Sequence, residues 1–493
     1  MINDEILAKY DLTVGIECHV QLATDTKLFS GANNDARDKR PNVVVSPIDY
    51  ALPGMLPVLN RKAVDLAIKA GKALNSKIAN ISRFDRKHYF YPDLPKGYQI
   101  SQMYQPIIGA GIVYVPMEDG STVDVRINHA HMEEDAGKLT HHGDYSLIDL
   151  NRAGTPLIEI VSEPDIHSSA VAKAYVTELY HLMTHSGVTN GDLYHGNMRF
   201  DVNVSISPKC SNTLGTRAEI KNLNSFRSVE RAVDFEFRRQ AELLEKGEKI
   251  KQETRGWDEA KQKTTSQRSK EEAQDYRYMP DADIPPIVLS DEEIAKIQAD
   301  MPKLPSEWRD ILQRLGLNFA QIETLLYAEN DFRGKVSILD LIENVIDDNE
   351  KAKFIANWDV NILVPLLREE SFEFKDIDYS KLELEIYELV SNNKLCSTNA
   401  KQVFRELVLA DELPNVEDYA ASKGYLQVSD DSYISNIVDE VLNEPMSQKA
   451  VDDFKNGNEK VIGFLVGQVM KKSSGKANPA LVQKILRERI KNK

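Results

Sequence analysis

The stretch Leu12–Leu22, "LTVGIECHVQL", alternates apolar with polar residues. A period of two is typical of a β-strand, in which successive side chains point to opposite faces. The apolar face carries Ile16, Cys18, Val20 and Leu22, and the polar face carries Glu17, His19 and Gln21. Because Cys18 lies on the apolar face, away from His19, we expect it to pack as a small hydrophobe and not to act as a nucleophile. Glu17 and His19 are then either half of a metal site or part of a solvated strand face.

Further segments follow the same two periodicities. Residues 121–135 and 198–206 alternate like strands, whereas 61–75, 168–187 and 223–246 have the spacing of amphipathic helices. After about residue 290 the pattern is helical almost throughout.

The order of these elements predicts the fold class. We expect an α+β protein in which a large mixed-sheet domain, 1–297, is followed by an all-α domain, 298–415. A small helical bundle, 416–493, completes the predicted architecture.

Composition excludes several classes of protein. Three scattered cysteines, Cys18, Cys210 and Cys396, are too few for a disulfide framework or a CxxC zinc site, which fits a reducing cytosol. The first residues lack the basic region and apolar core of a signal peptide, and the longest apolar run, 461–470, is about half of a membrane span. We therefore expect a soluble cytoplasmic protein with no membrane partner.

The formal net charge of −16 argues against a general nucleic-acid-binding surface, but two segments are basic. Residues 249–270 carry seven basic against three acidic side chains, and residues 471–493 carry eight against one. These zones either steer a polyanion to particular places or form solvated helix faces.

A second acidic segment lies at 129–138, "HAHMEEDAGK". Alternation places His129, His131, Glu133 and Asp135 on one strand face and Glu134 on the other. Adjacent acids repel unless they are solvated or neutralised by a cation. Carboxylates suit Mg²⁺, and a mixed histidine–carboxylate set also suits Mn²⁺ or Zn²⁺. The alternative is an exposed acidic turn before Gly137.

Two more segments are unusually polar or aromatic. In 215–232, Arg217, Glu219 and Lys221 alternate on one side, which indicates either a site or an edge strand. The segment 86–102, "RKHYFYPDLPKGYQISQ", combines aromatic, basic and proline residues. It suits a nucleotide base or a tRNA terminus through stacking and phosphate contact, or it is a packed Ω-type loop.

Several catalytic motifs are absent from the sequence. It contains no GxxxxGK[ST], no HExxH and no GxSxG. If the protein uses ATP, it does so without a P-loop, and no serine or cysteine stands in a convincing nucleophile context.

Together these segments resemble the GatB family, the B subunits of the aspartyl/glutamyl-tRNA amidotransferases. The matching stretches include "GIECHVQLATDTKLFS" from residue 15, "RKHYFYPDLPKGYQISQ" from residue 86, "HMEEDAGKLTH" from residue 131, "LIDLNRAGTPLIEIVSEPD" from residue 147, "GTRAEIKNLNSF" from residue 215 and "DYRYMPDADIPP" from residue 275. The resemblance covers essentially the whole chain.

The resemblance implies a cradle-like catalytic domain and an ATP-dependent carbon–nitrogen ligase with glutamine as the amido donor. In that reaction, ATP phosphorylates the side-chain carboxylate of misacylated Glu-tRNA(Gln) or Asp-tRNA(Asn). Ammonia supplied by a partner, the amidase subunit, then displaces the phosphate. A small third subunit is also implied, as is a tRNA-binding role for 416–493.

The resemblance also assigns residues to the site. Its Mg²⁺ ligands fall on Glu17, His19, Glu134 and Glu219, with Glu133 beside them. The resemblance gives catalytic roles to Lys87, Tyr89 and Asp201 as well, and cofactor contacts to Lys87, Arg217 and Lys221.

The sequence departs from the family at Phe200, next to Asp201, where relatives carry cysteine. Some relatives also have a cysteine-rich zinc motif between about residues 30 and 55. This chain has no cysteine there, so we expect no structural zinc.

Two other functions remain open from the sequence. One is a tRNA-binding scaffold without a catalytic role, which would not need the polar set Glu17, His19, Glu134 and Glu219. The other is a stand-alone metal-dependent phosphohydrolase, which would turn over a nucleotide without tRNA or a partner.

Overall fold

The computed structural model describes residues 4–211, 213–269, 275–427, 431–473 and 477–491. Its strands are β1 (Tyr10–Gln21), β2 (Ile81–Ser82), β3 (Asp85–His88), β4 (Tyr98–Ser101), β5 (Gly111–Pro116), β6 (Thr122–Glu134), β7 (Lys138–His142), β8 (Tyr145–Asp149), β9 (Pro156–Ser162), β10 (Met198–Pro208), β11 (Ala218–Leu223), β12 (Glu253–Asp258), β13 (Lys263–Ser269), β14 (Met279–Pro280) and β15 (Ile287–Val288).

The helices that lie among or directly after these strands are α1 (Asp4–Leu7), α2 (Arg61–Ala73), α3 (Ser169–His185), α4 (Phe226–Glu245), α5 (Asp291–Ala299) and α6 (Pro305–Arg314). The remaining helices are α7 (Phe319–Asp331), α8 (Leu339–Asn344), α9 (Asn349–Trp358), α10 (Val364–Leu367), α11 (Tyr379–Ser391), α12 (Ser397–Leu407), α13 (Val416–Ser422), α14 (Asp431–Asn443), α15 (Pro445–Lys455), α16 (Ile462–Lys472) and α17 (Pro479–Lys491). A π-helical turn, Asp359–Leu363, joins α9 to α10.

An eight-stranded sheet organises the first part of the chain, in the order β13-β12-β11-β10-β1-β9-β6-β5. All neighbours in it are antiparallel except β11 and β12, which are parallel. The sheet is therefore mixed, and the predicted α+β class is confirmed. Strand β1 lies between β9 and β10 and pairs with both, so its side chains have neighbours on either side.

Serine caps fix where the two long helices begin. The Ser168 hydroxyl accepts a hydrogen bond from the backbone N–H of Val171 at 3.1 Å, and Ser225 accepts one from Ser228 at 3.1 Å. Each hydroxyl satisfies a donor that the first helical turn leaves open. Helices α3 and α4 therefore start close to the predicted positions.

The apolar face of the sheet lies against α3 and α4. Cys18 and Phe200 are buried there, and the Phe200 ring lies 6.1 Å from that of Phe226 in α4. Burial raises the pKa of the Cys18 thiol far above its usual value. A neutral, buried thiol is a packing residue, which confirms the role predicted for Cys18.

Contacts divide the chain into two units, Met1–Asp310 and Ile311–Lys493. The predicted boundary at 297 lies inside the first unit, because α5 is tied to α2 by the Arg61–Glu293 ion pair at 2.6 Å. The contacts do not separate 298–415 from 416–493, so the three-domain division remains a prediction. The last helices, α14–α17, do share an apolar core of their own.

The two basic segments are partly neutralised within the protein. Arg255 is buried and donates hydrogen bonds to Glu253 and Thr264, so it holds β12 and β13 together instead of facing solvent. Three basic side chains of the C-terminal segment form ion pairs with acids of the same unit. The pairs are Lys472 with Glu440 and Glu444, Arg487 with Glu459, and Arg489 with Asp439. Residue 270 and, in the C-terminal segment, 474–476 and 492–493 lie outside the described residues.

Within the described part of the chain, none of the helices has the length and apolar character needed to cross a bilayer.

A buried pair of carboxyl groups lies in the second unit. Asp359, at the start of the π-helical turn, and Glu383 of α11 are 0% and 2% exposed and are hydrogen-bonded to one another. Apart from Glu383, no donor within the described residues reaches either oxygen of Asp359. Burial raises the pKa of Asp359 to about 8, with Glu329 of α7 adding to the effect, and burial also raises the pKa of Glu383. The pair must therefore hold a proton at neutral pH.

We predict that stability declines as pH rises towards 8 because of this pair. The folded protein keeps a proton on Asp359 that an unfolded aspartate loses near pH 4, so folding is weakened by up to about 1.4 kcal/mol per pH unit across that window. Asp359→Asn should raise the thermal unfolding midpoint at pH 8 and have less effect at pH 5. The exposed-site control Glu370→Gln should change neither value. An Asp359→Asn protein with an unaltered pH profile would contradict the shared proton.

Candidate functional site

The face of the sheet opposite α3 and α4 carries a row of polar side chains. Strand register explains how they meet. Glu17 in β1 lies opposite Asp201 in β10, and His19 lies opposite Glu159 in β9. Glu159 in turn lies opposite His131 in β6. Side chains that face each other across adjacent strands approach within about 5 Å, so residues far apart in sequence form one site.

Three acids form what we call the carboxylate cluster: Glu17, Asp201 and Glu219. One oxygen from each lies within 4.8 Å of the others. The Lys221 ammonium lies 2.6 Å from Asp201 Oδ2 and 3.1 Å from Glu219 Oε1. The structure thus brings together four residues that the sequence flagged.

Neutral donors fix the orientation of this cluster. Asn203 donates its side-chain amide to Glu17 Oε1 at 3.0 Å, and the Thr254 hydroxyl donates to Glu219 Oε2 at 3.0 Å. Neither was predicted from the sequence. Each of these contacts holds one carboxylate oxygen in place.

The acids of the carboxylate cluster are only partly balanced by positive charge. Burial raises the pKa of Glu17, and the charges of Glu159, Glu219 and Asp201 raise it further. Burial works against the charge on Lys221, but Asp201 and Glu219 hold its pKa above the usual value. One ammonium therefore faces three acids, and a divalent cation would lower the remaining repulsion.

A second group, the histidine–carboxylate cluster, consists of His19, Glu133 and Glu159. One ligand atom from each lies within 4.8 Å of the others. His19 Nε2 lies 3.5 Å from Glu133 Oε1 and 3.6 Å from Glu159 Oε2. The neighbouring His131 approaches the same two carboxylates, at 3.7 and 3.3 Å.

His131 supplies positive charge to this cluster. Burial alone would lower its pKa, but hydrogen bonds to Glu133 and Glu159 raise the pKa of His131 to about 9. Burial likewise opposes ionisation of Glu159, but His131, His19 and Lys87 hold its pKa well below the usual value. Without a bound metal, the cluster at neutral pH is therefore an imidazolium between carboxylates.

Lys87 of β3 reaches the same cluster from a second, three-stranded sheet, in which β3 lies between β14 and β4. Burial opposes its charge, but Glu133, Tyr278 and Glu159 raise the pKa of Lys87 above the usual value. Its ammonium also lies 5.0 Å from the centre of the Tyr276 ring. Lys87 thus lies beside Glu133 and Glu159, and its predicted catalytic role remains a prediction.

The expected grouping of Glu134 with Glu17, His19 and Glu219 is not found. Because side chains alternate along β6, Glu133 faces His19 and Glu134 points the opposite way. There, Glu134 accepts hydrogen bonds from the Lys96 ammonium at 2.5 Å and from the Ile100 backbone N–H at 3.0 Å. Glu134 is also buried, so the segment is not an exposed acidic turn.

The other predicted residues occupy separate places. Arg217 is exposed at a cavity of about 250 Å³ that Glu17 and Asn203 also line. Tyr89 follows β3, and its ring lies 5.7 Å from that of Tyr91. The roles of Arg217 and Tyr89 remain predictions.

Sequence reasoning did not single out Glu159. A signal was present, because it is the one charged residue inside β9, "PLIEIVS", and a lone acid within an apolar strand needs a partner. Its partners, His19 and His131, come from two other strands and are set by register alone.

We predict that removing the charge of Glu159 lowers the pKa of His131. In the metal-free full chain, NMR of labelled histidine should give a pKa of about 9 for the His131 ring. Glu159→Gln should lower it by about one to three units, because an opposite charge at this distance has that effect. The control Asp165→Asn, which removes a carboxylate paired with Arg126, should leave the His131 titration unchanged. An unaltered titration in Glu159→Gln would contradict the geometry of the cluster.

The chain is similar to known proteins over nearly its whole length. The family model described as GatB/GatE catalytic domain matches residues 12–295, and the model described as GatB domain matches residues 340–490. The B subunit of the aspartyl/glutamyl-tRNA(Asn/Gln) amidotransferase of Persephonella marina is 43% identical over 98% of this chain and 100% of its own length. Proteins of the same name from Thermodesulfovibrio yellowstonii and Carboxydothermus hydrogenoformans are 43% and 40% identical, over 97% and 98% of this chain and 98% and 99% of their own lengths. The chain therefore belongs to the GatB family, the B subunits of the aspartyl/glutamyl-tRNA(Asn/Gln) amidotransferases.

Proposed function

We propose that this chain converts a tRNA-bound side-chain carboxylate into an amide at the expense of ATP. The substrates are misacylated Glu-tRNA(Gln), Asp-tRNA(Asn) or both, and the products are Gln-tRNA(Gln) and Asn-tRNA(Asn). The observation that carries this proposal is the placement of two acidic clusters side by side on one sheet face, with Lys87 and Lys221 among them.

The chemistry requires two displacements. A carboxylate oxygen of the substrate attacks the γ-phosphorus of ATP, and the bond to ADP breaks. Ammonia then attacks the resulting acyl phosphate, its carbon–oxygen bond breaks, and inorganic phosphate leaves with a proton released. Activation is needed because a free carboxylate is a poor electrophile and an acyl phosphate is a good one.

Both clusters fit a divalent cation. The carboxylate cluster offers only oxygen ligands, as Mg²⁺ prefers, and the histidine–carboxylate cluster suits Mg²⁺ or Mn²⁺. We propose Mg²⁺, held by Glu17, Asp201 and Glu219 in one cluster and by His19, Glu133 and Glu159 in the other. Bound Mg²⁺ would neutralise phosphate charge during transfer.

The chain's own cations position the reacting groups. Lys87 stays charged beside Glu133 and Glu159, so its ammonium can contact a phosphate or the substrate carboxylate. Arg217, exposed at the cavity beside Glu17, can hold nucleotide phosphates. Lys221 holds Asp201 and Glu219 together and therefore orients ligands.

We further propose that ammonia comes from glutamine hydrolysed by a separate amidase subunit, in a complex that also holds a small third subunit. The relatives are named as B subunits, which supports a multi-component enzyme. The helices of 416–493 would contact the body of the tRNA, with Lys471, Lys484 and Lys491 as exposed cations.

A scaffold that binds tRNA without catalysis is less consistent with the geometry. Such a protein has no need of six metal-ligating side chains converging from five strands, β1, β6, β9, β10 and β11, and their mutual repulsion would cost stability. A stand-alone phosphohydrolase would have to hydrolyse ATP without tRNA or a partner.

We predict that Glu219→Ala separates catalysis from binding. The variant removes one member of the carboxylate cluster, so acyl-phosphate formation on Glu-tRNA(Gln) or Asp-tRNA(Asn) should fall by about a hundredfold or more, a loss typical of removing a group that stabilises charge in the transition state. Affinity for tRNA should change less than about twofold, because surface contacts with phosphates supply most of it.

The complex reconstituted with its amidase provides the assay, with Mg²⁺ and each misacylated tRNA in turn. The control Glu163→Ala removes an acid that contacts Asn128 outside both clusters and should retain activity. A Glu219→Ala enzyme that phosphorylates at a near-normal rate would sink the assignment. ATP turnover by the purified chain without tRNA would favour the phosphohydrolase.

A further inference from the structure

An exposed aromatic side chain lies next to the site, on the loop that follows β3. Phe90 is 73% exposed, and the guanidinium of Arg277 lies 5.8 Å from the centre of its ring. An exposed aromatic ring beside a cation provides both a stacking surface and a charge for a ligand. Neither residue belongs to the two clusters.

The loop around Phe90 is held in place. Gly97 has a φ of +75°, and a Cβ built there would lie 3.2 Å from Phe90 Cε1, so the ring packs across this glycine. The backbone N–H of Tyr89 donates to the Gly97 carbonyl at 3.1 Å, which closes the loop. The backbone that carries the ring is therefore held close to Gly97.

Arg277 is fixed from the other side. The His88 backbone N–H donates to the Tyr276 carbonyl at 2.9 Å, and His88 Nδ1 lies 2.9 Å from the Arg277 carbonyl oxygen. Residues 276 and 277 therefore run beside β3. Successive residues of this segment contact the site and the exposed ring, since Tyr276 lies under Lys87 and Arg277 lies over Phe90.

We propose that Phe90 and Arg277 form a binding site for an unpaired nucleotide at the 3′ end of the tRNA. The ring offers a face on which a base stacks, and the guanidinium offers charge to the adjoining phosphate. Phe90 lies three residues from Lys87, at most about 11 Å along the chain, so a base stacked there adjoins the aminoacyl group that the clusters act on. This inference rests on the proposed function, because it takes tRNA as the substrate.

The charge favours RNA over a protein partner as the occupant. Within the described part of the chain, the guanidinium of Arg277 makes a cation–π contact with the Phe90 ring and pairs with no carboxylate. Its charge is therefore available to a polyanion. A protein partner would bury the ring without using that charge. The two occupants give different outcomes when the RNA is shortened.

The test compares how tightly the full-length protein binds two RNAs. One is an intact tRNA, and the other is the same tRNA without its unpaired 3′ nucleotides. Phe90→Ala should weaken binding of the intact tRNA about tenfold, the usual effect of losing one stacked base, and leave the trimmed tRNA unaffected. Phe90→Trp should retain full affinity. Arg277→Gln should lower the salt dependence of binding by about one ion, whereas Phe90→Ala should not alter it.

Tyr114→Ala is the matched control. Tyr114 is 54% exposed, but it pairs with Asp124 at the far end of β6, ten residues before Glu134 and about 33 Å away. Removing the Tyr114 side chain should leave the affinity for both RNAs unchanged.

If Phe90→Ala weakened binding of both RNAs equally, or of neither, the proposal would be overturned. It would also be overturned if the variant bound tRNA normally and its one defect were in assembly with the amidase. Because binding is measured without ATP or partner, these outcomes are independent of whether the proposed reaction occurs. In the reconstituted enzyme, Phe90→Ala should raise KM for tRNA about tenfold at constant kcat, as for a lost stacking contact.

Discussion

Charge balance on one face of the sheet is the constraint on which the site depends. Glu17, Asp201 and Glu219 adjoin Glu133 and Glu159, and all five are at least partly buried. Such a set of acids would repel strongly in a low-dielectric setting. The protein offsets the repulsion with Lys221 in one cluster and with His131 and Lys87 in the other. Three internal cations therefore face five acids.

Strand β1 couples this polar face to the core. Its alternate residues, Cys18 among them, are buried against helices, while Glu17 and His19 between them face the site. Displacing β1 by one residue against β9 and β10 would exchange the two faces and bury Glu17 and His19. The apolar packing under the sheet therefore sets the register that assembles both clusters. At the edge of the sheet, buried Glu236 of α4 accepts hydrogen bonds from Arg239 and from Thr264 of β13. The contact with Thr264 holds β13 against the helix. Strand β12, which carries Thr254, is paired with β13 and is held with it.

Local pattern predicted much of this arrangement. Alternation alone assigned Cys18 to the core and placed Glu17 and His19 on one strand face, and helical spacing located α3 and α4. Pattern could not supply the partners from distant strands. The meeting of Glu159 with His19 depends on the register of β1 and β9, which are far apart in the chain. Likewise, pattern could not decide which of Glu133 and Glu134 faces His19. The structure places Glu133 there, whereas the family resemblance favoured Glu134, which contacts Lys96.

Binding of a divalent cation distinguishes two separate cation sites from a single shared one. Titration of the full chain with Mn²⁺, followed by electron paramagnetic resonance, should show two bound ions per chain, one for each cluster. Glu219→Ala and Glu159→Gln should each lose one of them and retain the other. Loss of both ions in either variant, or no loss in both, would contradict the account, because the two clusters would then not be separate cation sites.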